Sequence, residues 1–147
     1  MSARRKARKR ALDVLFEADL RGLDAGQLLA DRAAEAQPPM APYAQLLVDG
    51  VVSHQDEIDN LISAHAHGWT LPRLPGVDRA LLRIAIYEVL HCPDVPDAVA
   101  IDEAIELAKS LSTDESAGFL NGVLGAVVKG TTKELPTAAG SEKLTGC

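Results

Sequence analysis

Aromatic residues are scarce in this chain: one Trp, two Tyr and two Phe among 147 residues. Alanine supplies 23 positions and leucine 20. Ala and Leu are strong helix formers, whereas aromatic and β-branched side chains favour strands, so the balance points to helices. No apolar run approaches the ~20 residues that a membrane-spanning helix needs. The basic start has the charge of a secretory leader, but Asp13, Glu17 and Asp19 interrupt the apolar segment that would have to follow. Cysteine is nearly absent. Cys92 and Cys147 have no CxxC spacing, which supports neither a disulfide framework nor a cysteine zinc knuckle and fits a soluble, reducing, cytoplasmic setting. Basic residues are also few outside the first ten positions. MSARRKARKR carries six Lys/Arg and no acid, a charge of +6, while the other 137 residues hold nine Lys/Arg against 21 Asp/Glu, a charge of −12. An acidic body argues against indiscriminate coating of nucleic acid, and the basic arm argues for a local contact with an anion.

What is present is helical periodicity, in a chain whose 47% apolar content suffices for one core. Residues 4–21 place Leu12, Leu15, Phe16 and Leu20 on one stripe, with Ala7, Ala11, Val14 and Ala18 beside it, and Gly22 ends the segment. Asp24 is an N-cap for a short second helix that Pro38-Pro39 closes. A third helix starts at Pro42 and carries Leu46, Leu47, Val51, Ile58, Leu61 and Ile62, with a bend expected near Gly50 or Ser53. GWTLPRLPG (68–76) is a turn or a very short helix. Val77 to Leu90 is apolar on most sides, with only Asp78, Arg79, Arg83 and Glu88 charged, and belongs at the centre of the fold. Residues 98–111 turn Ile101, Ala104, Ile105, Ala108 and Leu111 inward, and a last helix at 117–129 packs Phe119, Leu120, Val123, Leu124 and Val127. Nothing alternates with period two and no internal repeat is visible. The expected fold is all-α, one compact bundle of six to seven helices over residues 1–129, followed by a mobile tail at 130–147.

The arm is locally unfavourable. On a helix Arg4/Arg8, Arg5/Lys9 and Lys6/Arg10 stand four apart, and cations at a helix N-terminus oppose its dipole. A polyanion would relieve both effects, and guanidinium groups bind phosphate bidentately. The bland alternative is a solvated tail. In SLSTDESAGFLNGVLG (110–125), Thr113, Asp114, Glu115 and Ser116 form a capping cluster. Gly118, Gly122 and Gly125 suggest the close approach of another backbone. Phe119 is either a core residue or a platform on which a base stacks, and Asn121 either reads a base edge or solvates the helix. His65 and His67 are too close in sequence to share a helix face, and His91 stands alone, so no metal site and no cofactor are expected. Asp102 and Glu106 read as solvated charge. There is no GxxxxGK[ST], no GxGxxG after a strand and no GxSxG, and no enzyme is expected.

RRKARKRALDVLFEADL (4–20), VDRALLRIAIYEVL (77–90), DVPDAVAIDEAIELAKSLS (94–112) and FLNGVLG (119–125) together resemble the NusB family of transcription antitermination factors, with wording closest to its actinobacterial branch. The resemblance spans residues 4–129 and implies two small helical sub-bundles. It implies joint binding, with the ribosomal protein NusE, of the single-stranded boxA element of ribosomal RNA transcripts, within an elongation complex containing NusA, NusG and RNA polymerase. Carried over by position, it assigns RNA contacts to Arg4, Arg5, Lys6, Arg8, Lys9, Glu115, Phe119 and Asn121. Gly76, Asp78, Arg79 and Arg83 fall in the region facing NusE or the RNA, although Arg79 and Arg83 share a face with Tyr87 and have an alternative as internal ion-pair partners. Some members form homodimers, so a second copy is among the implied partners. Related domains precede RNA cytosine methyltransferases, for which this chain has no catalytic domain. The rival reading is a protein-binding helical scaffold whose arm docks on an acidic partner.

Overall fold

Seven α-helices and one 3₁₀ turn make up the computed structural model, which describes residues 2–131; among these there is no strand. The tail expected to be mobile lies, from residue 132 on, outside the described residues. The first helix, α1 (Ala3–Arg21), starts where the Ser2 hydroxyl accepts the Arg5 N–H at 3.1 Å. It ends at Gly22, whose φ of 65° is the left-handed conformation that a glycine adopts without steric cost. Asp24 caps α2 (Ala25–Glu35) by accepting the Gln27 N–H at 2.9 Å. Pro42 opens α3 (Pro42–Ser53), where its missing N–H leaves no hydrogen bond unmade.

The helix expected over Pro42 to Ile62, with a bend near Gly50 or Ser53, is two helices that part just after Ser53. His54 leaves the helical region (φ −114°, ψ 19°), and α4 (Gln55–His65) sets off in a new direction. The break aims Ile58 and Ile62 into the core, where both are fully buried. Each such burial is worth about 1.5–3 kcal/mol, more than enough to offset one interrupted helical turn.

After the 3₁₀ turn at Leu71–Arg73 comes α5 (Gly76–His91), with 11 of its 16 residues buried. It is the central element that its composition predicts. On one side it packs against α1 and α3, which with α2 form the first sub-bundle. On the other it packs against α4, α6 (Asp97–Leu111) and α7 (Asp114–Lys129), the second sub-bundle. Two expected core positions lie outside it: Leu20 is 74% exposed at the end of α1, and Leu111 is exposed at the end of α6. Leu107 takes the inward place instead. Helix α7 starts three residues earlier than its apolar stripe suggests, because the Thr113 hydroxyl accepts the Ser116 N–H at 3.0 Å. Cys92 is buried beyond the end of α5, and the chain's other cysteine lies outside the described residues.

Candidate functional site

The basic arm is helical from Ala3, and most of its cations are already engaged within the chain. Arg8 is 4% exposed and donates through Nε and Nη2 to the Glu88 carboxylate of α5, at 3.0 and 2.8 Å, and through Nη1 to Glu103 of α6 at 3.2 Å. Tyr43 of α3 donates its hydroxyl to the same Glu88 carboxylate. Burial, together with the Glu88 charge, pushes the Tyr43 phenol well above its ordinary value. Arg5 grips Glu103 from outside, and its hydrogen bonds hold that carboxyl below the usual carboxylate range. Arg4 lies 4.1 Å over the Tyr43 ring and reaches Asp94 at 3.1 Å, while Lys9 pairs with Asp13 one turn along. Arg4, Arg5, Lys6, Arg8 and Lys9, expected to form one phosphate-binding set, differ in how far the chain itself engages them. All three side-chain nitrogens of Arg8 donate to Glu88 or Glu103, and Arg5 ties α1 to α6. Arg4 and Lys9 are about half-exposed, and exposed pairs of this kind exchange partners at little cost. Lys6 and Arg10 have no ion-pair partner among the described residues, so they carry the arm's uncompensated charge.

The second patch is built on α7. Glu115 and Asn121 are exposed, and Phe119 is half-buried between them in sequence. Trp69, 49% exposed in the loop before the 3₁₀ turn, meets the Phe119 ring edge-on, with centroids 6.2 Å apart and planes at 61°. Neither aromatic is covered as a core residue would be, and together they form a two-ring ledge. Around them the chain is open: a Cβ placed on Gly118, Gly122 or Gly125 would meet nothing within 4 Å. The close backbone approach that those glycines suggested is therefore absent within the described residues. Sequence reasoning missed Trp69 because a lone aromatic in a Pro/Gly-rich loop sits on no periodic face. Helix α6 lies between the two patches, bonded to α1 through Glu103 and packed on α7.

Of the four residues expected to face a partner, Asp78 and Arg83 are buried and Gly76 and Arg79 are partly exposed. Gly76 lies against Phe16, whose Cε1 would stand 2.8 Å from an added Cβ. Asp78 is buried and accepts the Ser116 hydroxyl at 2.9 Å. Arg79 donates to Asp19 at 2.9 Å and to the carbonyls of Leu71 and Leu74. Arg83 spans Asp19 and Asp59, at 3.0 and 2.9 Å. Arg79 and Arg83 are thus the internal ion-pair partners that their shared face allowed. Their neighbourhood still reaches the surface: Asp19, Leu71, Pro72, Arg79 and Arg83 line an open depression, and Leu20, the residue after Asp19, is exposed.

A model of the NusB family matches residues 5–129. The transcription antitermination protein NusB of Acidothermus cellulolyticus is 60% identical over 127 residues, 86% of this chain and 88% of that one. That of Kineococcus radiotolerans is 55% identical over 129 residues, 88% and 95% of the two chains. Among solved structures, T. maritima NusB superposes with a TM-score of 0.79 at 34% identity, covering 97% of each chain. A structure of antitermination factors NusB and NusE in complex with dsRNA gives a TM-score of 0.76 at 32% identity, covering 89% of this chain and 100% of that one.

Proposed function

Because the chain belongs to the NusB family, we propose that it is a non-enzymatic transcription antitermination factor, acting in the cytoplasm, that binds the boxA element of ribosomal RNA transcripts together with NusE. The observation that carries this reading is the partly exposed Trp69–Phe119 ledge, with Asn121 two residues on and no side chain over the neighbouring glycines. Stacking on an aromatic face needs an unpaired base, which is how proteins read single-stranded RNA. The NusB–NusE complex with dsRNA supports the pairing of this fold with both partners. Lys6 and Arg10, with Arg4 and Lys9 able to exchange their carboxylates for phosphate, supply contacts that position the strand without reading its sequence. NusE, a basic ribosomal protein, suits the −12 body, and it docks at the depression lined by Asp19, the residue before Leu20. NusA, NusG and RNA polymerase complete the elongation complex, and a second copy of the chain competes for the same surfaces.

The test is retention of labelled boxA RNA on a filter by the full chain, with and without NusE. Retention that rises with NusE and falls with a scrambled RNA is the expected result. No retention in either condition overturns this reading in favour of the helical scaffold.

A further inference from the structure

Spacing along the chain gives no metal site, yet the fold assembles one away from the arm and the aromatic ledge. His54 occupies the junction between α3 and α4, Glu57 the first turn of α4, and His91 the last position of α5. Their ligand atoms all lie within 4.8 Å of one another. His91 Nε2 stands 2.8 Å from Glu57 Oε1, and His54 Nδ1 stands 3.7 Å from the same oxygen. The two imidazoles are stacked, with centroids 3.8 Å apart and planes at 25°.

We propose that His54, Glu57 and His91 form a binding site for a divalent transition-metal ion of the zinc type. The donor set is two imidazole nitrogens and one carboxylate oxygen, the borderline combination that zinc takes with a water in the fourth position. Bonds of about 2.0–2.1 Å in tetrahedral geometry separate ligand atoms by about 3.3 Å. The observed 2.8 and 3.7 Å straddle that value, and the stacked rings have to turn about their side-chain torsions to aim both lone pairs at one ion. Calcium and magnesium want more oxygen ligands than this cluster offers. Cys92, the residue after His91, is fully buried and lies outside the cluster of ligand atoms.

The ligands stand on a firm base. The His54 N–H donates to the Gly50 carbonyl and its carbonyl accepts from Ile58, both at 3.0 Å, which fixes the junction from both sides. Tyr87 backs both imidazoles, with centroids 5.9 Å from His54 and 5.5 Å from His91. It reaches that place only because residue 50 is glycine: an added Cβ would stand 2.1 Å from Tyr87 Cζ. The outer side opens to solvent in a depression lined by Val52, Ser53, Gln55 and Asp56, which gives an ion an entry path. A bound ion would tie the α3–α4 junction to the end of the central helix.

Titrating the full chain with zinc chloride in a calorimeter, after removal of metal with EDTA, tests the site. One saturable equivalent is expected, with H54A, E57Q and H91A each weakening it by more than about tenfold. H65A and H67A should leave it unchanged, and thermal melts in EDTA identify any variant that fails to fold. Cobalt substitution of the unaltered chain decides independently of any variant: a tetrahedral d–d spectrum without a thiolate charge-transfer band is expected. Absence of saturable zinc binding, binding that moves with His65 or His67, or a thiolate band would overturn the proposal.

Discussion

Arg8 of α1 and Glu88 of α5 meet as a buried ion pair, 4% and 1% exposed, with the guanidinium donating to both carboxylate oxygens at 2.8–3.1 Å. Tyr43 and Glu103 complete it, so α1, α3, α5 and α6 converge on one charged knot. Burying charge is tolerable only when it is paired and fully hydrogen-bonded. Arg8→Ala strands the Glu88 carboxylate and is expected to cost about 3–5 kcal/mol in urea unfolding. Arg8→Met combined with Glu88→Leu removes both charges and should recover most of that loss. A stability for Arg8→Ala within about 0.5 kcal/mol of the parent chain, the range of surface changes, would show that the knot contributes little.

This pair also marks where the sequence stops being legible. Gly22, Asp24 and Pro42 announce their helix ends by local chemistry, and the apolar composition of residues 77–90 announces a central helix; all four readings match the structure. Arg8 sits beside Ala7 and Ala11 on the buried side of α1, but its partners lie 80 and 95 residues away, a separation that carries no sequence signal. The arm therefore reads as six free cations when much of its charge is neutralised inside the chain. The break at His54 falls beside the bend expected near Ser53, but the burial of Ile58 and Ile62 that goes with it is a tertiary outcome that periodicity alone does not convey. The same tertiary step brings His91 to Glu57.

Lys6 and Arg10 are the arm cations without an ion-pair partner among the described residues, and they separate the two roles of the arm. Lys6→Ala and Arg10→Ala are each expected to flatten the dependence of boxA RNA affinity on salt by about 0.7 in log–log slope, the value for one phosphate contact to a single strand. Folding stability should stay within about 0.5 kcal/mol of the parent. An unchanged slope in both variants would remove the arm from the RNA interface.

Trp69 is the chain's one tryptophan, so intrinsic fluorescence reads the aromatic ledge directly. Quenching on addition of boxA RNA is expected, and weaker quenching with a scrambled RNA. Trp69→Ala and Phe119→Ala should each weaken boxA binding by about 1–3 kcal/mol, the range for loss of one base–aromatic stack. Equal losses on both RNAs, or unfolding of Phe119→Ala, would return Phe119 to a packing role.

Leu20 is 74% exposed next to Asp19, which Arg79 and Arg83 hold in place. An exposed leucine next in sequence to an ion-paired aspartate suits the apolar anchor of a protein contact. Leu20→Asp should weaken NusE binding by more than about 2 kcal/mol, the hot-spot range, when measured by calorimetry. Thermal stability should be unaltered, since the side chain buries little. Undiminished NusE affinity would move the docking surface elsewhere.

Acid should loosen the tie between α1 and α6 before it reaches the core. The Arg5 hydrogen bonds hold Glu103 below the usual carboxylate range, and Arg21, helped by Arg32, does the same for Glu17. A carboxyl whose folded value is depressed contributes stability that is fully present above its unfolded value of about 4.3. That contribution disappears as pH falls through the lower folded value. Thermal melting from neutral pH down to about 3 should therefore show a falling midpoint below the ordinary glutamate range. Glu103→Gln removes one titrating group, so it should lower the midpoint at neutral pH and make the acid limb shallower. Tyr43 works in the opposite sense: its raised phenol favours the folded state up to the ordinary tyrosine value and loses that effect above it. An acid limb of unchanged steepness in Glu103→Gln would show that the Arg5–Glu103 tie does not set the acid sensitivity of the fold.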